Sequence, residues 1–187
     1  MSDCLYGEFL IAADHLRDQN FYRTVILILE HNAEGAMGLV INRPSSIAVD
    51  AALGSSASLS LDAPVYIGGP VETSALFVLH NHLRPGLRDR EVIPGLFLAD
   101  SDDSLEAVLS PKTDSDPQVF FRVYCGYAGW QHQQLEDEIS RGDWFSVPAD
   151  CSTVLEEDPY GIWEACTNRF RRSHRILPHD VRHPEWN

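Results

Sequence analysis

Two short blocks of the 187-residue chain bring groups capable of chemistry close together. The first is Glu30-His31-Asn32-Ala33-Glu34-Gly35, which sets one imidazole among carboxylates. That is the composition of a proton-transfer centre, because a neighbouring acid orients the ring and raises its pKa. His31, Glu30 and Glu34 are therefore the candidate acid–base residues. The same residues also read as a hairpin turn whose side chains bond the backbone. Asn42-Arg43-Pro44 follows closely. Arg43 supplies a guanidinium able to hold a carboxylate or phosphate, or to pair with one of the chain's own acids. The second block is Gly126-Tyr127-Ala128-Gly129-Trp130, running into Gln134-Leu135-Glu136. Its glycines are expected to turn the chain from a strand into a helix, where free backbone N–H groups can bind an anion. Tyr127 and Trp130 can stack on a planar ligand or plug the core. The candidate ligand- or partner-binding set is Asn32, Asn42, Arg43, His80, Gly126, Tyr127, Gly129, Trp130, Gln134 and Glu136.

Weaker constellations accompany these. His80-Asn81-His82 follows a strand, and alternation puts both imidazoles on one face, where His31 or Glu34 could complete a metal site. His132 and Glu136 lie at i, i+4 on one helix face, an arrangement that a solvated surface pair explains more cheaply. Cys125 reads as a small hydrophobe near the expected helix start. The glycine block is neither a Walker A loop nor GxGxxG, and no GxSxG or HExxH occurs. No metal site and no cofactor are expected.

The elements that must position these residues are legible in outline. Glu8–Ala13 and the aliphatic run Thr24–His31 read as strands, the second buried on both faces. Asn32–Gly35 supplies turn residues, Ala36–Ile41 is strand-like again, and the pair forms a hairpin ended by Pro44. Residues 47–61 read as a short helix and a loop. Val65–Ile67 is a strand stopped by Gly68-Gly69-Pro70, and Leu76–His80 is another. Ser101 caps a helix over Ser104–Leu109. Pro111–Pro117 is a loop, and Gln118–Cys125 is a strand. A helix over Gln131–Ser140 buries Leu135 and Ile139. A last helix runs from Tyr160 to Phe170, and the end beyond Ile176 is extended. Short connections between consecutive strands point to an α/β chain of the α+β type with a mixed or antiparallel sheet.

Composition bounds the rest. The length suits one domain, here placed at residues 1–167, with residues 168–187 as a divergent basic tail. The four widely spaced cysteines form no CxxC, so reduced thiols are the default. No secretory signal and no membrane-spanning run is seen, and a cytoplasmic protein is expected. The formal charge of −14, with thirteen arginines and a single lysine, disfavours direct DNA binding and anionic membranes. Charge is uneven: eight acids lie between Glu136 and Asp158, against Arg169, Arg171, Arg172, Arg175 and Arg182 near the end. That basic end is expected to dock on the protein's own acids or a twin subunit, with RNA as the alternative.

These residues together resemble the YqgE/AlgH family of small bacterial proteins. The match covers about Leu5 to Ala165: Phe9–Ala12, Phe21 with Arg23–Val25, Glu30–Pro44, Gly68–Val71, Phe77–His80, Gly126–Ile139, Trp144, Pro148–Asp150 and Trp163. The resemblance implies a single domain with a branched β-sheet surrounded by helices, and carries the family's loose label of transcriptional regulator. The chain departs from the family pattern at Asp14, Leu29, Cys125, Gln133 and after Ala165. Three functions follow. The first is a non-enzymatic regulatory or interaction protein that meets a protein partner or a small molecule. The second is an enzyme using His31 with Glu30 or Glu34 on a small anionic ligand. The third is nucleic-acid binding through the C-terminal arginines. Oligomeric state is not legible.

Overall fold

In the computed structural model, residues 4–53, 63–82, 89–99, 101–109 and 119–174 are described. Strand β1 (Glu8–Ala12) pairs antiparallel with β2 (Val25–Asn32), which forms a hairpin with β3 (Gly35–Val40). Val25 through Leu29 are all fully buried, and strand alternation shows why. Val25, Leu27 and Leu29 face one hydrophobic cluster, whereas Ile26 and Ile28 face another on the opposite side of the sheet. Phe9 and Ile11 on β1 join the first cluster, and Leu10 and Ala12 join the second.

Beyond the hairpin, β3 ends at Val40, and Pro44 opens the next strand instead of ending that one. β4 (Pro44–Ala48) leads into the short helix α1 (Val49–Leu53) and pairs with β5 (Pro64–Ile67). β6 (Val71–His80) begins five residues before the expected Leu76, because Val71 pairs with Tyr127 across an irregularity that absorbs the residues between Val71 and Leu76. β7 (Arg90–Ile93) and β8 (Leu96–Leu98) form a hairpin at one sheet edge, and α2 (Asp102–Leu109) follows with its Ser104 amide donating to Ser101 Oγ at 3.2 Å. The expected loop at Pro111–Pro117 and the extended end beyond Ile176 lie outside the described residues.

The central strand is β9 (Phe121–Gln131), and it corrects the expectation of a glycine turn. The chain does not leave the sheet at Gly126–Gly129. Gly129 pairs with Met37 and Ala128 with Gly38, so this stretch lies in the ladder and forms no helix N-terminus to hold an anion. The turn comes later, at His132-Gln133, where Gln133 adopts a left-handed conformation before α3 (Gln134–Ser140). β10 (Trp144–Pro148), α4 (Cys151–Leu155) and α5 (Ile162–Ser173) complete the chain; α5 passes through residue 168 without a break.

The sheet branches along one edge of β9. Val123–Cys125 pair in parallel with β5, Ala128–Gln131 pair antiparallel with β3, and β6 lies on the other edge. Gly68 sits in the fork, donating to the Cys125 carbonyl and accepting from the Val40 amide, both at 2.8 Å. Gly126 bends the strand there with φ +67°, and a Cβ on it would lie 2.5 Å from the Gly69 carbonyl oxygen. Only glycine meets both demands. The first cluster is closed by Val154, Leu155, Ile162 and Cys166 from α4 and α5, and the second by Leu135 from α3. Val49 and Val108 cover a third cluster over β5, β6 and β9. The result is one domain of α+β type with a mixed, branched sheet. No described helix is long and apolar enough to cross a membrane.

Candidate functional site

The β3–β9 register brings the two sequence blocks together. Gly35 pairs with Gln131, Ala36 with Trp130 and Met37 with Gly129, so segments about ninety residues apart in the chain become neighbours. Over this ladder lies an open groove of about 500 Å³, lined by Glu30, Asn32, Glu34, Tyr127, Gly129 and Trp130 of the nominated residues. Met37 and Val71, which were not among the candidate binding residues, add apolar lining. Glu30 is half exposed and pairs with Arg90 at 3.2 Å. The Glu34 carboxylate is exposed and makes no bond among the described residues, while its amide donates to Asn32 Oδ1 at 2.8 Å. Asn32 thus acts as a turn residue as well as a groove wall.

His31 belongs to the back of the hairpin tip. The Leu5 amide donates to its Nδ1 at 3.0 Å, so that nitrogen carries a lone pair and the ring proton sits on Nε2. Nε2 in turn donates to Glu136 Oε1 at 2.9 Å. Glu136's own backbone N–H holds its carboxyl below the ordinary carboxylate range; burial opposes this, and the His31 bond adds to the lowering. Both ring nitrogens are therefore engaged, one by the N-terminal segment and one by α3. His132 bonds the Ala33 carbonyl, a second tie between the hairpin tip and the β9–α3 turn.

Glu138, which sequence reasoning passed over, is the hub behind the groove. Its Oε2 accepts the indole N–H of Trp130 at 2.9 Å and that of Trp144 at 2.8 Å. Its Oε1 accepts from Gln134 Nε2 at 3.0 Å, while Gln134 Oε1 accepts the Gln131 amide at 3.1 Å. Trp130 is 7% exposed and packs edge-on to Trp144, with Phe21 against both rings. It is a core plug that shows only a margin to the groove. An acid placed eight residues after a tryptophan was the available signal, but nothing local says that indoles from two strands converge on it.

Asn42 and Arg43 lie elsewhere, holding the β1–β2 connection. Asn42 accepts from the Val25 amide and donates to the Arg23 carbonyl; Arg43 donates to the carbonyls of Gln19 and Tyr22 at 2.9 and 3.0 Å. Burial lowers the Arg43 pKa, and nearby Asp18 opposes that. His80 is fully buried at the end of β6, stacked on Phe97. Its Nδ1 accepts from the His82 amide at 3.2 Å, and Nε2 is 3.2 Å from Asp89 Oδ2. Burial pushes its pKa down, more than Asp89 restores. Among the described residues no group of three or more His, Cys, Asp or Glu side chains is arranged to hold a metal ion. The start of the basic end docks on the protein's own acids, Arg169 on Asp150 at 2.7 Å and Arg171 on Asp14 at 3.0 Å. The later arginines lie outside the described residues.

The architecture is that of a small single α+β domain with a branched mixed sheet and a hairpin tied to the β9–α3 turn. The chain belongs to the AlgH-like family, whose model matches residues 9–175. A UPF0301 protein of Myxococcus xanthus is 40% identical, the match covering 83% of this chain and 84% of that one. A UPF0301 protein of Paraburkholderia phymatum is 38% identical over 96% and 95% of the two chains. The solution structure of the AlgH protein from Pseudomonas aeruginosa superposes with a TM-score of 0.71 at 33% identity, covering 96% of this chain and 98% of that one.

Proposed function

We propose that this AlgH-like protein is a non-enzymatic regulatory or interaction protein, and that the groove over β3 and β9 takes a basic segment of a protein partner. The observation that carries this reading is the convergence of six nominated residues from two distant blocks on one open groove. Its chemistry fits that occupant. Glu34 is exposed with no partner among the described residues, Glu30 is half exposed, and the Tyr127 ring and Met37 offer apolar contact to the stems of lysine or arginine. A formal charge of −14 steers cationic segments toward the protein.

The acid–base reading has less support, because both nitrogens of His31 are engaged in holding the fold. Direct DNA reading is opposed by the charge.

Titration of the labelled protein with arginine- and lysine-rich peptides, followed by NMR, tests this reading. Saturable shifts centred on Glu34, Met37, Val71 and Tyr127 are expected, with the double variant Glu30→Gln, Glu34→Gln weakening binding roughly tenfold, the factor that accompanies about 1.4 kcal/mol. Binding that is unaffected by charge removal, or that maps outside the groove, would exclude the groove as the docking surface.

A further inference from the structure

A second cleft, of about 440 Å³, runs between α5 and the β1–β2 connection and shares no lining residue with the groove. Helical periodicity builds one wall: Trp163, Glu164, Thr167, Asn168 and Arg171 recur at the spacing of one face, while Ile162 and Cys166 turn into the core. Arg23, Arg43 and Asp14 form the opposite wall. In a strongly acidic protein this cleft gathers three arginines against two acids, Asp14 and Glu164, with Asp18 acting on Arg43 from outside it. Asp14 is already paired with Arg171.

Arg23 is the distinctive member. Its backbone is held in the left-handed region at φ +54°, and Asn42 Nδ2 donates to its carbonyl at 3.0 Å. Its guanidinium lies 4.9 Å over the Trp163 ring and 5.5 Å over that of Tyr22, with no hydrogen bond or ion pair among the described residues. A guanidinium with no bond of its own keeps its N–H groups available, and a planar fork of this kind can receive an oxyanion in bidentate fashion. Thr167 and Asn168 of α5 line the cleft beside Arg23.

We infer that this cleft binds a small ligand carrying a phosphate or carboxylate group, received by the Arg23 guanidinium and bordered by Asn168, with Arg43 adding positive charge while its own N–H groups hold the β1–β2 connection. Trp163 and the 81%-exposed Tyr160 border the remainder of such a ligand. The site stands apart from the partner groove, so either can fail without the other.

The test follows amide and arginine side-chain NMR resonances while inorganic phosphate, and separately citrate, is added at low salt. Saturable shifts concentrated on Arg23, Thr167 and Asn168 are expected, and the tighter of the two anions identifies the oxyanion class. Arg23→Gln weakens that binding at least roughly tenfold. Arg141→Gln, remote from the cleft, leaves it unchanged. Because Arg23 is exposed, unchanged resonances elsewhere in Arg23→Gln establish that the fold persists. The assignment is overturned if neither anion gives saturable shifts in the cleft, or if Arg23→Gln binds as tightly as the parent.

Discussion

His31 Nε2 lies 2.9 Å from Glu136 Oε1 across 105 residues of chain, and the Leu5 amide closes on the other ring nitrogen at 3.0 Å. The imidazole is a rivet through three pieces of backbone: the N-terminal segment, the hairpin tip and α3. A residue whose neighbours suggested proton transfer is thereby tied into the scaffold of the groove.

His31→Ala removes both bonds and strands the Leu5 amide, so it is expected to cost about 1–3 kcal/mol of stability. Thermal denaturation measures this. An unchanged Tm would mean that water replaces the rivet at no cost. Glu136→Gln gives a milder loss with a pH signature. A carboxyl held below its ordinary range stabilises the fold above the unfolded pKa and loses that contribution as pH falls through the lower folded value. The acid side of the stability curve should therefore be shallower in Glu136→Gln.

Glu138→Ala leaves two indole N–H groups and the Gln134 amide without their acceptor. Since bonds to a charged acceptor contribute more than neutral ones, a loss of about 2–4 kcal/mol is expected, larger than for His31→Ala. Tryptophan emission should shift as Trp130 and Trp144 loosen. Equal melting temperatures for the two variants would contradict the hub.

Two glycines with positive φ separate conformational strain from crowding. Gly142 has φ +80° and open space around its Cβ position, so Gly142→Ala costs only the left-handed penalty of about 1–2 kcal/mol. Gly126 adds backbone contact on top of φ +67°, with its Cβ position 2.5 Å from Gly69 O and 2.9 Å from Val71 O. Gly126→Ala should cost at least about 3 kcal/mol or prevent folding. Chemical denaturation of both variants tests the branch point, and similar losses would mean that the fork can open to admit a methyl group.

His80 predicts pH dependence on the neutral side. Burial lowers its pKa in the folded protein, so between that value and about 6.5 the unfolded chain binds the extra proton. Stability contributed by neutral His80 is complete above pH 6.5 and falls as the solution is acidified below it. Melting temperatures between pH 7.5 and about pH 5 should drop less steeply in His80→Gln than in the parent; parallel curves would remove His80 as the source.

The cysteines should label unequally. Cys4 is exposed, whereas Cys166 is buried with its pKa pushed up to about 11 by desolvation, and reactivity follows the thiolate. Timed alkylation with mass readout should modify Cys4 first and Cys166 only on unfolding. Rapid labelling of Cys166 in the native protein would indicate that α5 opens readily.

What could be read along the chain was what local chemistry specifies. The Val25–Leu29 run announces a strand buried on both faces, Asn32–Gly35 a turn, and Ser101 a helix cap, because each depends on side-chain period or on a bond to a near neighbour. The family was legible for the same reason, as a set of residue types in fixed order. The path of β9 was not. Glycines at 126 and 129 carry the same local signal whether the chain turns or a second strand packs close; the Gly69 backbone against Gly126 and the β3 strand paired with Gly129, both arriving from distant segments, decide between them. Pairing Met37 with Gly129 likewise sets two separate sequence blocks side by side in one groove. The partners of His31 and Glu138 follow the same logic. A side chain's type and neighbours show what it is able to bond, but in a sheet built from long-range ladders the bond it makes depends on which strand lies opposite, and that was settled by the tertiary structure alone.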